Sequence, residues 1–377
     1  MCVSFKNKTK ASVLIFTYNR KQFIKNALDS VIASQQMVEN VEIIISTCIN
    51  RNELELDPVP SNVKYVTFPP QTSYGDQLIR TVNISKGEIL LFLEDDDVFN
   101  PHKIKVILEQ FENNSDVIAV KNATTKIISE GYIDESVFME GDEISNFLSK
   151  SRDYHTDLIT PRDIYDMISG ELVYNPSTIS VRRAVILENE DMLRNNHPFD
   201  ILLSAAILNI PGVIKYLDKS LTAYRLHSSN DSYFGQERDL HKLQERMLIT
   251  SNKYVEGLRG ASNATNLRPT AKLLIQHIIS REEFTLLILK HYGARDILIK
   301  AVMHNLAREF YLGKQVIKNR GIINSGFLID FIMPFIKIVG LNTLTKKFPF
   351  ALIYILNKNL SHKIYIKYLL SVLANSR

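Results

Sequence analysis

Apolar residues in the first third of the chain come in short unbroken runs, separated by stretches where they recur every three or four positions. Residues 12–16 form a β-branched run. Residues 21–34 then place Phe23, Ile24, Ala27, Leu28, Val31 and Ile32 on one helical face, and 41–45 is a run again. Two more runs, 63–68 and 89–93, flank an amphipathic segment at 75–85. Strands that are apolar along their whole length, with helices between them, predict an α/β fold: a mostly parallel sheet with helices on both faces. Ligands of such sheets bind at the carboxyl ends of the strands.

The pattern continues with a helix over 101–113, a strand over 117–121, and strands at 178–181 and 214–217 around a helix at 200–208. Residues 129–175 are polar and aperiodic and read as an inserted loop region. Beyond residue 236 the spacing is helical almost throughout, which predicts a separate helical domain over 236–377.

Composition narrows the class of protein. The 377 residues are 45% hydrophobic and 23% charged, the balance of a folded globular chain and not of a disordered or polytopic membrane protein. The net charge of +4 is too small to argue for nucleic acid. It averages two unlike parts. Residues 314–377 hold ten bases and one acid, Asp330, a net of +9, whereas the first 313 residues carry −5. That tail mixes Lys with bulky apolar residues over 327–373, a composition suited to lying on an anionic membrane surface. No stretch of about 18 apolar residues offers a span, and no secretory signal is evident. Two cysteines, Cys2 and Cys48, suit a reducing compartment. The expectation is a cytoplasmic protein, peripheral on the cytoplasmic face of a membrane.

The most informative segment is 87–101, GEILLFLEDDDVFNP, where an apolar strand ends in Glu94, Asp95, Asp96 and Asp97. Four like charges side by side at the binding end of a parallel strand repel one another. They read either as a solvated acidic turn, with Asp97 or Asn100 capping the next helix, or as a site for Mg²⁺ or Mn²⁺, which favour carboxylate oxygens. The strand-end position favours the cation.

Three segments together, VLIFTYNR near the N-terminus, SKGEILLFLEDDDVFNP and YRLHSSNDS, resemble family 2 glycosyltransferases of the GT-A (Rossmann-like) fold over about residues 10–235. The resemblance implies an inverting enzyme that uses a nucleotide sugar and a divalent cation. It divides 1–235 into a nucleotide-sugar half (10–100) and an acceptor half (101–235). It also implies that Thr17, Tyr18, Asn19 and Arg20 line the nucleotide, and that Asp96 ligates the metal with Asp97 beside it. Glu94 and Asp95 then lie near the ribose or the metal; Asp95–Asp97 is the other possible triplet. Arg80 either contacts phosphate or makes a surface ion pair. Where the family ends its second strand with aspartates facing the base, this chain has Ser46, Thr47 and Cys48, so UDP and GDP both stay open.

The family's catalytic base lies at the start of a helix after the sheet. Here that region reads HPFDILLSAAIL, with His197 and Pro198 in the place of the usual acids, so Asp200 is the candidate base and Asp191 the reserve. Asp200 also reads as a helix cap. In AYRLHSSNDS, Arg225 and His227 alternate along a strand and face the same way. The resemblance points Arg225 at phosphate and His227 at the metal; a structural role for the histidine is the other reading.

The basic tail suggests a lipid-linked or surface glycan as acceptor; a protein, a capsule polymer or a wall polymer is equally open. Two other classes stay in play. A nucleotidyltransferase would normally show a Gly-rich loop after the first strand, which TYNRKQF lacks; a non-catalytic nucleotide-sugar-binding scaffold would tolerate the changes at 46–48 and 197–198.

Overall fold

The apolar runs become strands because neither side of them faces water. The computed structural model describes residues 10–18, 20–54, 56, 61–140, 151–169, 172–194, 198–227, 240–264 and 266–292. In chain order these form β1 (Ala11–Thr17), α1 (Lys21–Gln35), β2 (Val41–Thr47), β3 (Val63–Thr67), α2 (Tyr74–Ile84), β4 (Ile89–Glu94), β5 (Val98–Phe99) and α3 (Lys103–Asn113). There follow β6 (Val117–Ile128), α4 (Val137–Glu140), β7 (Arg152–His155), α5 (Pro161–Ser169), β8 (Ile179–Arg182), α6 (Arg183–Leu187), α7 (Glu190–Leu193), α8 (Phe199–Leu208), β9 (Val213–Leu226), α9 (Leu240–Ser262) and α10 (Pro269–Tyr292).

Among the described residues nine strands make one sheet, in the order β3-β2-β1-β4-β8-β6-β9-β5, with β7 also on β9. The first four are parallel; β8 enters antiparallel to both neighbours, and β6 and β9 are again parallel. Alternation along the strands divides the core. Val13, Ile15, Ile43, Ile45, Leu91 and Leu93 share one cluster with Ile24, Leu28 and Val31 of α1 and Ile104, Ile107 and Phe111 of α3. Leu14, Ile44, Leu90 and Phe92 are equally buried, and α2 packs against β2 through its buried Leu78, Ile79 and Val82. Each such side chain contributes about 1.5–3 kcal/mol on burial.

Several differences from the sequence reading have physical reasons. The strands expected at 117–121 and 214–217 run on as β6 and β9, because their polar second halves pair with each other at an open edge. The segment expected as irregular loop contains α4, β7 and α5. β5, α6 and α7 are too short to show a period.

The chain divides into two compact units. One comprises Met1–Asn230 with Glu256–Gln276 and carries the sheet. Within it Arg268 donates its backbone N–H to Asn209 Oδ1 at 2.6 Å, and its guanidinium pairs with Asp157. The other comprises Asp231–Val255 with His277–Arg377; among its described residues Ser251 donates to the buried Glu282 at 2.8 Å. No helix of the described residues is long and apolar enough to cross a membrane. The basic tail, 314–377, lies outside the described residues.

Candidate active site

Parallel pairing brings the carboxyl ends of three strands to one edge. Thr17 of β1 sits beside Thr47 of β2, and Phe16 beside Glu94 of β4. Just past that edge the four acids make a tight turn, closed by the Asp97 N–H donating to the Glu94 carbonyl at 3.2 Å. The turn is held from both sides. Before it β4 pairs with β1, and after it β5 pairs with β9 at Val98–Ala223 and Phe99–Thr222. This is why the acids are consecutive: a four-residue turn between two strands presents them together.

The turn is buried, and the burial is costly. Asp95, Asp96 and Asp97 are at most 2% exposed. Loss of water pushes the Asp95 carboxyl up to about 7, against the pull of Arg20, and the Asp97 carboxyl up to about 8 with Asp96 adding to the rise. Glu94 is raised by the same burial and by Asp96 and Asp97. Glu94, Asp96 and Asp97 each offer a carboxylate oxygen, all within 4.8 Å of one another. Three hard oxygen donors this close, with charges that repel, fit a cation such as Mg²⁺ or Mn²⁺.

Arg20, the N-cap residue of α1, reaches across the turn. Its Nη2 meets Asp95 Oδ1 at 2.8 Å and its Nη1 meets Asp96 Oδ2 at 2.5 Å. Burial opposes the guanidinium charge, but Asp95 and Asp96 outweigh it and hold the arginine more firmly protonated than usual. His227, buried just beyond β9, also reaches Asp96 Oδ2, with Nε2 at 3.0 Å, and its ring packs on Phe23 at 4.6 Å between centroids. Thr17 lies against Asp95 and favours its charged form. Tyr18 is more than half exposed and donates to the Pro70 carbonyl at 3.0 Å. Thr47 is buried and its hydroxyl accepts from the Ile49 N–H at 2.8 Å. Asn19 and His197 lie outside the described residues.

Arg225 is fully buried and its guanidinium is committed within the protein. Nε donates to the Asp96 carbonyl at 2.7 Å, Nη2 to Asn26 Oδ1 at 2.7 Å and Nη1 to the Gly131 carbonyl, while the plane lies over Phe23 at 4.6 Å. Its backbone N–H donates to Asp97 Oδ1 at 3.1 Å. This side chain therefore shapes the acidic turn from behind. Arg80 is on the exposed face of α2, and no hydrogen bond or ion pair among the described residues joins it to the turn.

Asp200 lies in the first turn of α8, after the N-cap Pro198, and its Oδ1 accepts from the Ile201 N–H at 2.9 Å. An aromatic row brings it to the strand ends: Phe16 meets Tyr74 at 5.1 Å, Tyr74 meets Phe199 at 4.6 Å, and Phe199 meets Phe92 at 6.2 Å. Asp191 is exposed on α7.

Sequence reasoning missed four contributors. The Tyr74 hydroxyl is buried with no hydrogen-bond partner and is raised well above its ordinary range, first by burial and then by Glu94 and Asp95, with Asp200 adding to it. One phenol thus feels the acidic turn and Asp200 at once. α2 can lie against the end of α7 because Gly75 has no side chain; a Cβ there would meet the Leu193 carbonyl oxygen at 2.3 Å. Ser177 accepts the Glu94 N–H at 3.0 Å and lies close enough to Asp97 to favour its charged form. Its own carbonyl accepts from the fully buried Lys103, which also donates to Thr222 at 2.7 Å and lies over the Phe99 ring at 3.9 Å. Burial holds that lysine well below its ordinary range. Lys121 grips the neighbouring Tyr174 carbonyl and Thr178 hydroxyl. As helix- or strand-surface lysines these two gave no sequence signal.

Comparison with known proteins agrees with this edge. Residues 12–175 match the family model described as Glycosyl transferase family 2. An uncharacterized glycosyltransferase of Nostoc sp. is 26% identical over 233 residues, 59% of this chain and 66% of the relative. One from Haemophilus influenzae is 30% identical over 137 residues, 36% of this chain and 46% of the relative. The chain thus spans less than two thirds of the length of either relative. Among solved structures, that of S. aureus TarS 1-349 aligns at 16% identity with a TM-score of 0.48, covering 80% of each chain. The matched residues 12–175 hold the first four parallel strands and the acidic turn.

Proposed function

We propose that the protein transfers a sugar from a UDP- or GDP-sugar to an acceptor hydroxyl with inversion, as a metal-dependent glycosyltransferase. The observation that carries this reading is the buried turn of Glu94, Asp96 and Asp97 at the carboxyl end of β4, inside the matched family region. Held by Asp96 and Asp97, with Glu94 beside them, a divalent cation would supply stabilisation of the negative charge that develops on the leaving nucleoside diphosphate. Thr17, Tyr18, Asn19, Arg20 and Thr47 line the nucleotide side, and Asp95 fixes Arg20 there. His227 orients Asp96, and Arg225 fixes the turn's backbone. Asp200 takes the proton of the attacking acceptor hydroxyl. Arg80, on the open face of α2, serves the donor only if the bound diphosphate extends that far.

The expected result is a thermal shift with one class of nucleotide sugar, seen only with Mn²⁺ or Mg²⁺ present. Slow hydrolysis of the same donor without acceptor should accompany it. Absence of both, across UDP- and GDP-sugars, would leave a binding scaffold as the better account.

The acceptor in this reading is a lipid-linked or surface glycan, supported by the +9 composition of residues 314–377. The full chain should sediment with anionic vesicles at low salt and be released as salt rises. Failure to sediment would remove the membrane from the reading.

A further inference from the structure

We propose that Arg20 is a resident counter-cation of the acidic turn, handed over to the donor's diphosphate when donor and divalent cation bind, so that the two bind cooperatively through it. The inference rests on the reading of the turn as a cation site.

Arg20 engages two neighbouring acids with the two prongs of its fork, Asp95 at 2.8 Å and Asp96 at 2.5 Å. Asp96 Oδ2, the oxygen that Arg20 takes, is also the one that His227 Nε2 reaches. A cation held by Asp96 therefore competes with the guanidinium by charge, and one that takes Oδ2 competes with it sterically as well. The three acids beneath it are at most 2% exposed, while the Arg20 side chain is 24% exposed. The arginine is the member of the cluster that has room to leave. It sits just past the end of β1, at the carboxyl edge of the parallel strands where such sheets bind ligands, and its fork matches a phosphate as well as it matches a carboxylate. Exchange of one positive group for another keeps the buried acids compensated throughout, whereas departure of Arg20 alone would strand them.

A fixed positive charge and a handed-over one make different predictions. A fixed charge weakens Mn²⁺ by the same factor whether or not nucleotide is bound. A mobile one weakens it only when nucleotide is absent, and linkage makes the effect reciprocal. The test is titration of Mn²⁺, with free ion read by electron paramagnetic resonance, alone and with saturating UDP or GDP. It is made on the wild type, Arg20→Gln, Arg20→Lys and Asp96→Asn, each checked for folding by circular dichroism.

Arg20→Gln should bind Mn²⁺ about tenfold tighter without nucleotide, as expected for loss of one charge-assisted pair. The factor by which nucleotide tightens Mn²⁺ should shrink about as much. Arg20→Lys, which keeps the charge without the fork, should fall between. Equal tightening with and without nucleotide, or none in either state, overturns the proposal. If the wild type binds Mn²⁺ no better than Asp96→Asn does, the cation site itself is wrong and the proposal falls with it. The first failure leaves that site standing.

Discussion

Asp96→Asn should reduce sugar transfer at least about a thousandfold while leaving the protein folded. In the proposed reaction a cation held by this turn would stabilise the leaving diphosphate, and its loss would remove several kcal/mol of transition-state stabilisation, each 1.4 kcal/mol being about tenfold in rate. Asparagine keeps the shape and one acceptor oxygen, so His227 retains a partner at Nε2. The Arg20 ion pair loses one prong and keeps Asp95. Against that loss, one of four crowded acids disappears, and with it part of the repulsion that holds Glu94 and Asp97 above the usual carboxylate range. The thermal midpoint should therefore stay near the wild-type value or rise, while Mn²⁺ affinity collapses. A variant with transfer within about tenfold of wild type would show that the reaction does not run through this turn.

An acidic turn expected to serve activity at no gain in stability is also one partly legible in the sequence. Four consecutive acids are hard to place in a buried turn for any structural benefit, so they stand out against an apolar strand. The strands around them were legible for the opposite reason: residues 11–17, 41–47 and 89–94 are buried on both faces, and unbroken apolar runs mark them. The second half of β6, NATTKII, faces a half-open edge and mixes polar with apolar residues, so its true length could not be read.

The hidden part of the site is held by backbone. Arg225 has as partners two carbonyls and Asn26, which lie 94 to 199 residues away in the chain. Any residue type can supply a carbonyl, so no motif announces such a bond. The sequence resemblance pointed this arginine at phosphate; in the structure three of its five guanidinium N–H groups bond the turn, α1 and the segment after β6. Lys103 and Lys121 were invisible for the same reason, since both spend their ammonium groups on carbonyls and hydroxyls of residues 174–178 and 222. The two glycosyltransferase-like segments at 17–20 and 225–227 meet at Asp96, a juxtaposition that no spacing along the chain encodes.

Asp200→Asn separates acid–base chemistry from cation binding. The proposed inversion would require a base opposite the leaving group, and α8 brings the Asp200 carboxylate toward the strand ends beside Phe199 and Tyr74. Asparagine can still accept the Ile201 N–H that anchors Oδ1, so the helix start and the aromatic row should survive. What it cannot do is take a proton. Removal of a positioned general base costs about a hundredfold to ten-thousandfold, so kcat should fall by that range with donor KM and Mn²⁺ affinity unchanged. Asp96→Asn differs by losing Mn²⁺ affinity as well, so the pair of variants, measured side by side, assigns one carboxylate to the leaving group and the other to the acceptor. Turnover of Asp200→Asn within about threefold of wild type would move the base elsewhere, with Asp191 of α7 the next carboxylate to replace.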